Sequence, residues 1–295
     1  MLLVYHAAAA GGRYAPSSLA GLEACAAAGA RAVEIDVQAL AGDDLAMLHD
    51  PLLERATTGC GPVGRHTPAE VAGLRLLVGG QPSAEPVGLL SRAVAPLQGQ
   101  QAPAELQLDL KAHPTALLTE ERLRTLARLV QPLGGRVRVS SVADWALHRL
   151  LALAPGLALG FDPLLYLDLR DDDIGQAPPY RCGAYGYRDD HPLAAVRWGA
   201  PGEYLAERAA TLWQQAPPAG VWYIRGSVLA RALDDGFDWI AFLHARGVQV
   251  AAWTLDPHRP GDVALAQRLA AAGVDRITTD DPPAMAAALG GNAAY

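Results

Sequence analysis

AVEIDVQALAGDDLAMLHD, residues 32–50, is the stretch that decides the fold. Its first half alternates Val33, Ile35 and Val37 with Glu34 and Asp36. Alternate residues of a strand share a face, so both carboxylates project from one side and the aliphatic side chains from the other. Charges set beside a buried face need partners. A turn at 41–44 leads into a second short apolar run that ends in His49-Asp50-Pro51. So short a connection allows only an antiparallel return, because a parallel one needs a crossover of a dozen or more residues. Folding the hairpin between Gly42 and Asp43 sets His49 opposite Asp36. Two hard oxygen ligands for a divalent cation then meet an imidazole that exchanges protons near neutral pH.

Working outward, residues 26–36 read AAAGARAVEID and residues 270–280 read AAAGVDRITTD, the same grammar of helix end, glycine and strand. Ahead of the first copy, Leu2–Tyr5 is a short apolar strand delivering His6, and Pro16-Ser17-Ser18 opens a helix with a serine N-cap. Strand, helix, strand is the signature of a parallel sheet. Continued along the chain, the pattern predicts eight parallel strands at 2–5, 32–37, 105–110, 136–140, 157–161, 221–224, 248–253 and 275–278. Eight such units over somewhat more than 250 residues predict a TIM (β/α)8 barrel with a β-hairpin after the second strand. An open doubly wound sheet would carry a Gly-rich turn after its first strand, and none is present. One interval, 163–220, departs from the grammar. It is rich in Pro, Gly and aromatics (Tyr166, Tyr180, Tyr185, Tyr187, Trp198, Tyr204, Trp213) and reads as a packed insertion over one end of the barrel. All 295 residues are expected to form a single domain.

Composition narrows the function. A net charge of -7 and a pI near 5.6 argue against a general nucleic-acid binder, which carries a basic footprint. No run of eighteen apolar residues occurs, so no stable membrane insertion is expected. The N-terminus lacks the charged region of a signal peptide. Cys25, Cys60 and Cys182 are odd in number and widely spaced, which suits a reduced, cytoplasmic setting.

Barrel chemistry sits at the carboxyl ends of the strands. Those ends offer His6, Glu34 and Asp36, His49 from the hairpin, Asp109 and Lys111, Arg225, Trp253, and a stretch near Thr279 and Asp280. This set suits a small-molecule phosphodiester. A Ca²⁺ or Mg²⁺ ion on Glu34, Asp36 and Asp109 would offset charge developing on phosphorus oxygens. His6 and His49 could serve as general acid and base, and Lys111 as a point charge for a phosphate oxygen. Arg225 and Trp253 are further candidates for contact with substrate. Carboxylates outnumber imidazoles, so a zinc site is disfavoured. Of the remaining histidines, only His113 falls near a strand end that could adjoin the site.

These residues resemble the glycerophosphodiester phosphodiesterase family, part of the PLC-like phosphodiesterase superfamily. The resemblance is carried by His6, PSSL (16–19), EIDV (34–37), HDPLLERATTGCGPV (49–63), LDLK (108–111), WTLD (253–256) and GVDRITTDDP (273–282). It implies a TIM barrel that hydrolyses glycerophosphodiesters with a divalent metal. Glu34, Asp36 and Asp109 match the metal ligands, with Asp109 where the hydrolases more often have Glu. His6 and His49 match the acid–base pair and Lys111 the phosphate-facing lysine. The implied route is attack of a substrate hydroxyl on phosphorus, giving a cyclic phosphate that water later opens. Two positions depart from the pattern. Ala7-Ala8 stand where the family has Arg-Gly, and Pro16-Ser17-Ser18 where it has Pro-Glu-Asn. The first change removes a bidentate phosphate clamp, for which Arg13 or Arg225 could substitute. The missing arginine and Asp-x-Lys on the third strand also resemble sphingomyelinase D-type lyases, which form a cyclic phosphate. Those carry a disulfide in the loop after the second histidine, and here that loop has only Cys60. A third reading is a catalytically impaired barrel that binds a phosphate compound.

Overall fold

The structure is a computed structural model that describes residues 1–169, 199–291 and 293–295. In chain order its elements begin with β1 (Leu2–Tyr5), α1 (Leu19–Ala27), β2 (Ala32–Ala39), β3 (Leu45–Ala46), α2 (Pro68–Ala72), β4 (Arg75–Val78), β5 (Gln81–Pro86) and α3 (Leu90–Leu97). There follow β6 (Glu105–Leu110), α4 (Glu120–Val130), β7 (Val137–Ser141), α5 (Asp144–Leu153), β8 (Ala158–Phe161) and α6 (Pro201–Gln215). The chain then runs through β9 (Val221–Arg225), α7 (Gly226–Asp234), α8 (Trp239–His244), β10 (Gln249–Trp253), α9 (Asp262–Ala271), β11 (Arg276–Thr279) and α10 (Pro282–Ala288).

Eight of these strands are parallel and adjacent in the order β1, β11, β10, β9, β8, β7, β6, β2. The pairing of Tyr5 with Val33 closes the ring, so the expected barrel is what forms. Each predicted barrel strand is found within a residue or two of its expected limits. β2 is buried along its whole length. Val33, Ile35 and Val37 join the main apolar core, while Glu34, Asp36 and Gln38 line the cavity at the barrel's carboxyl end. Ser18 caps α1 by accepting from the Gly21 N–H at 3.1 Å.

The amino-terminal end of the barrel is shut by charge. Glu105 on β6 accepts from Arg138 of the neighbouring β7 at 3.0 Å and pairs with Arg276 of β11 on the far side. Above this floor Val221, Tyr223 and Ala251 form a small inner core. Gly160 on β8 is there because a Cβ would lie 2.4 Å from the Tyr223 ring. Gly160→Ala should therefore destabilise the fold by about 1–3 kcal/mol in denaturant titration. Adding Tyr223→Ala should recover part of that loss, and simple additivity of the two changes would refute the contact.

Three differences from the sequence reading have physical causes. The hairpin pairs Gln38 with Ala46 and Ala39 with Leu45, which centres it on Gly42 and not between Gly42 and Asp43. Gly42 sits at φ 151, a conformation open to glycine, and so becomes the pivot. Asp36 would thus face Leu48, and the ladder stops before reaching it. Second, β4 and β5 form an unforeseen hairpin. Gly79 and Gly80, both at positive φ, supply the two left-handed residues that such a tight turn requires. Third, the expected insertion at 163–220 holds α6, the regular crossover between β8 and β9. Tyr180, Cys182, Tyr185, Tyr187, His191 and Trp198 lie outside the described residues. No described helix is long and apolar enough to cross a membrane.

Candidate active site

All eight residues singled out from the sequence, His6, Glu34, Asp36, His49, Asp109, Lys111, Arg225 and Trp253, line one cavity of about 520 Å³ at the carboxyl end of the barrel. His113 lines it as well. The other described histidines are engaged elsewhere: His66 with the Cys60 carbonyl, His148 with the Gln215 carbonyl, His244 with Asp275 and His258 with Asp281.

The acids meet because β2 and β6 run in register, with Asp36 beside Asp109 and Glu34 beside Gln107. One oxygen from each of Glu34, Asp36 and Asp109 lies within 4.8 Å of the others. Lys111 crowns the pair of aspartates, its Nζ 2.8 Å from Asp36 Oδ1 and 2.5 Å from Asp109 Oδ2. Burial opposes ionisation of Asp36, but Lys111 and His49 outweigh it and hold its pKa below the usual value. Glu34 is pushed upward, first by burial and then by the negative charge of Asp36. A trio with two buried members, one of which resists ionisation, is short of positive charge. Carboxylate oxygens suit a hard cation, so the residues present fit a divalent metal ion.

Two departures from the family pattern have structural consequences. Ala7, Ala8 and Ala10 all take left-handed backbone conformations, at φ 47, 50 and 48. This costs a β-carbon-bearing residue about 1–2 kcal/mol. The resulting arch aims the Ala7 N–H at Glu34 Oε2, 2.6 Å away. Ser17, also left-handed at φ 53, donates from Oγ to Asp36 Oδ2 at 3.1 Å and accepts from the Asp36 N–H at 3.0 Å. A hydroxyl that orients one acid thus stands where the family has a further acid.

The histidines are held differently. His6 Nδ1 lies 2.6 Å from Asp280 Oδ1 at the end of β11. Partial burial lowers its pKa, but the Asp280 bond and the charges of Glu34 and Asp36 raise it further, to about 9. The folded-state value exceeds the ordinary 6.5. The pair therefore stabilises the fold fully below about pH 6.5, and that contribution fades as pH rises through about 9. His49 is more open, with a side chain 64% exposed. Its backbone is fixed by Gln38, whose Nε2 lies 3.0, 3.1 and 2.6 Å from the carbonyls of Leu48, His49 and Asp50. The sequence reading passed over Gln38, although it is i+2 from Asp36 on the same strand face. It placed Asp280 near the site without a role.

On the far wall the Arg225 guanidinium lies 5.2 Å above the Trp253 ring and 3.1 Å from buried Asp168. Arg13 spends its Nε on the Ala10 carbonyl at 2.8 Å and does not line the cavity. Asp162, partly buried and lining the same cavity, has its pKa raised well above normal, chiefly by burial and then by the charge of Asp109.

The eight parallel strands closed into a ring, with helices between them, are the architecture of a TIM barrel. Residues 9–151 match the model of the Glycerophosphoryl diester phosphodiesterase family, whose members are phosphodiesterases that hydrolyse glycerophosphodiesters. No curated protein matches the chain. Among solved structures, an Oleispira antarctica phosphodiesterase in complex with the product sn-glycerol-3-phosphate is 21% identical, with a TM-score of 0.66 and coverage of 98% of this chain and 97% of that one. A glycerophosphodiester phosphodiesterase from Parabacteroides distasonis is 22% identical, with TM-score 0.63 and coverage of 98% and 97%. One from Agrobacterium tumefaciens is 20% identical, with TM-score 0.59 and coverage of 97% and 99%. At these identities the likeness is one of fold.

Proposed function

We propose that the chain hydrolyses glycerophosphodiesters to an alcohol and glycerol phosphate, using His6 and His49 as acid and base. The proposal includes a divalent ion, Ca²⁺ or Mg²⁺, held by Glu34, Asp36 and Asp109. The observation that carries this reading is the convergence of all eight candidate residues on one cavity. When bound, the ion would supply positive charge to the phosphate oxygens as negative charge builds there. His49, exposed to the cavity, takes the proton of the attacking substrate hydroxyl as its oxygen bonds to phosphorus. His6, kept protonated by Asp280, donates to the alcohol oxygen as its bond to phosphorus breaks. Water opens the resulting cyclic phosphate in the second half of the reaction. Lys111 neutralises one phosphate oxygen, and Arg225 takes the place of the arginine missing at position 7. Trp253 holds Arg225 in line with the cavity.

A lyase that stops at the cyclic phosphate is the second reading, favoured by the Asp109-x-Lys111 pair. Phosphorus NMR of the protein with Mg²⁺ or Ca²⁺ and a panel of glycerophosphodiesters and lysophospholipids separates the outcomes. Glycerol phosphate supports hydrolysis, a persistent cyclic ester supports the lyase, and unchanged diester points to a binding protein.

The assignment of His6 as acid has its own check. Asp280→Asn removes the negative charge that makes its hydrogen bond raise the His6 pKa. The alkaline limb of kcat/KM should move to lower pH by about one unit or more, and an unmoved limb would assign it to another group.

A further inference from the structure

Lys111 is the only lysine in a chain whose lysines and arginines total 24. Among the described residues the other ion pairs use arginine or histidine, as in Arg138 and Arg276 with Glu105, Arg149 with Glu120, Arg268 with Asp234 and His244 with Asp275. A planar guanidinium suits such fixed, forked pairings, whereas an ammonium is a compact charge on a flexible stem. That difference matters in a site where a cation must change partners.

The oxygens of the acidic trio are unequally engaged. Asp36 Oδ2 accepts from the Ser17 hydroxyl at 3.1 Å, and the reverse bond from the Asp36 N–H at 3.0 Å locks that pairing. Glu34 Oε2 accepts from the Ala7 N–H at 2.6 Å. Asp36 Oδ1, the remaining oxygen of that residue, is 2.8 Å from Lys111 Nζ. A metal ion shared by all three acids would draw on one oxygen of each, and Asp36 Oδ1 is the oxygen of that residue not tied to Ser17. The Ser17 bond is buried and doubly made, while the lysine side chain is 24% exposed and borders the cavity. The lysine is the contact that yields.

We propose that Lys111 is a displaceable internal counter-ion. It holds Asp36 and Asp109 together in the metal-free protein, releases Asp36 Oδ1 when a divalent cation binds, and then turns its ammonium to a phosphate oxygen in the cavity. This rests on the metal-ion reading above. Its consequence is an order of loading, with cation before phosphate, because the phosphate ligand is engaged by Asp36 until then. A second consequence is that Lys111 weakens cation binding while strengthening phosphate binding.

Uniqueness makes the test clean, since ¹³C-lysine incorporated into the unaltered protein gives a single side-chain Cε resonance. Mg²⁺ should move that resonance to a new limiting position. Inorganic phosphate should move it again in the cation-loaded protein and leave it in place in the metal-free protein. By calorimetry Lys111→Met should bind Mg²⁺ at least about tenfold more tightly than the unaltered chain, because a positive charge within a few ångströms of the ion has gone. A static resonance while calorimetry records binding overturns the proposal. So does a phosphate response without cation, or equal or weaker affinity in a folded variant. Absence of cation binding to both proteins is a different result and removes the metal-ion reading itself. Should Lys111→Met fail to fold, the resonance of the unaltered protein decides alone.

Discussion

His6→Ala and His49→Ala should each lower turnover of a glycerophosphodiester by roughly 10²–10⁴-fold, the range over which a positioned acid or base contributes. That corresponds to about 3–5 kcal/mol of barrier. The two variants should not behave alike in other respects. His6 is half-buried and tied to Asp280, so its removal leaves a carboxylate without its partner, and the loss of stability should be greatest at acid and neutral pH. The His49 imidazole is mostly exposed, with Asp50 at 3.5 Å as its ion-pair partner among the described residues, and its side chain can be truncated with little effect on folding. KM should change little in either case, because neither imidazole is the main source of charge for the phosphate. Steady-state rates from an assay for the released alcohol or glycerol phosphate, set beside thermal unfolding of each variant, check the prediction. Losses below tenfold in both would remove the pair from the chemistry.

Chelation should abolish hydrolysis, and added Ca²⁺ or Mg²⁺ should restore it. The expectation rests on Glu34, whose burial beside Asp36 disfavours its charged form; a bound cation reverses that preference. The same reasoning makes the cation a stabilising ligand. At a hundred times its Kd it should add about 2.7 kcal/mol to unfolding, seen as a rise in melting temperature that Asp109→Asn largely erases. Activity indifferent to chelator, or a melting temperature unmoved by either cation, would count against the metal role.

How much of this could be read from the residues alone follows from range. The eight strands and their order were legible because each βα unit repeats a local pattern of apolar run, glycine and cap. The convergence of His6, Glu34, Asp36, Asp109 and Lys111 was legible for the same reason, since a barrel places strand ends together. What was missed depends on contacts that no local pattern encodes. The His6–Asp280 bond joins residues 274 positions apart. The Ser17–Asp36 exchange joins a helix entry to a strand. Gln38 looked like any polar strand residue, and only its three carbonyl contacts give it a task. The hairpin failed by one position because the pivot was chosen by symmetry of the turn, when Gly42 alone could take the necessary backbone angle. The Gly79-Gly80 turn was local and readable, and was passed over.

The salt-bridged floor at Glu105, Arg138 and Arg276 makes the barrel a blind well. On the proposed route, reactant, water, alcohol and glycerol phosphate use the mouth of the cavity at the carboxyl end, so the departing alcohol has to clear before water can reach phosphorus. Bulk on the diester is then tolerated only where it trails outward past the rim, and a substituent directed at the well bottom meets paired charges that leave it no exit.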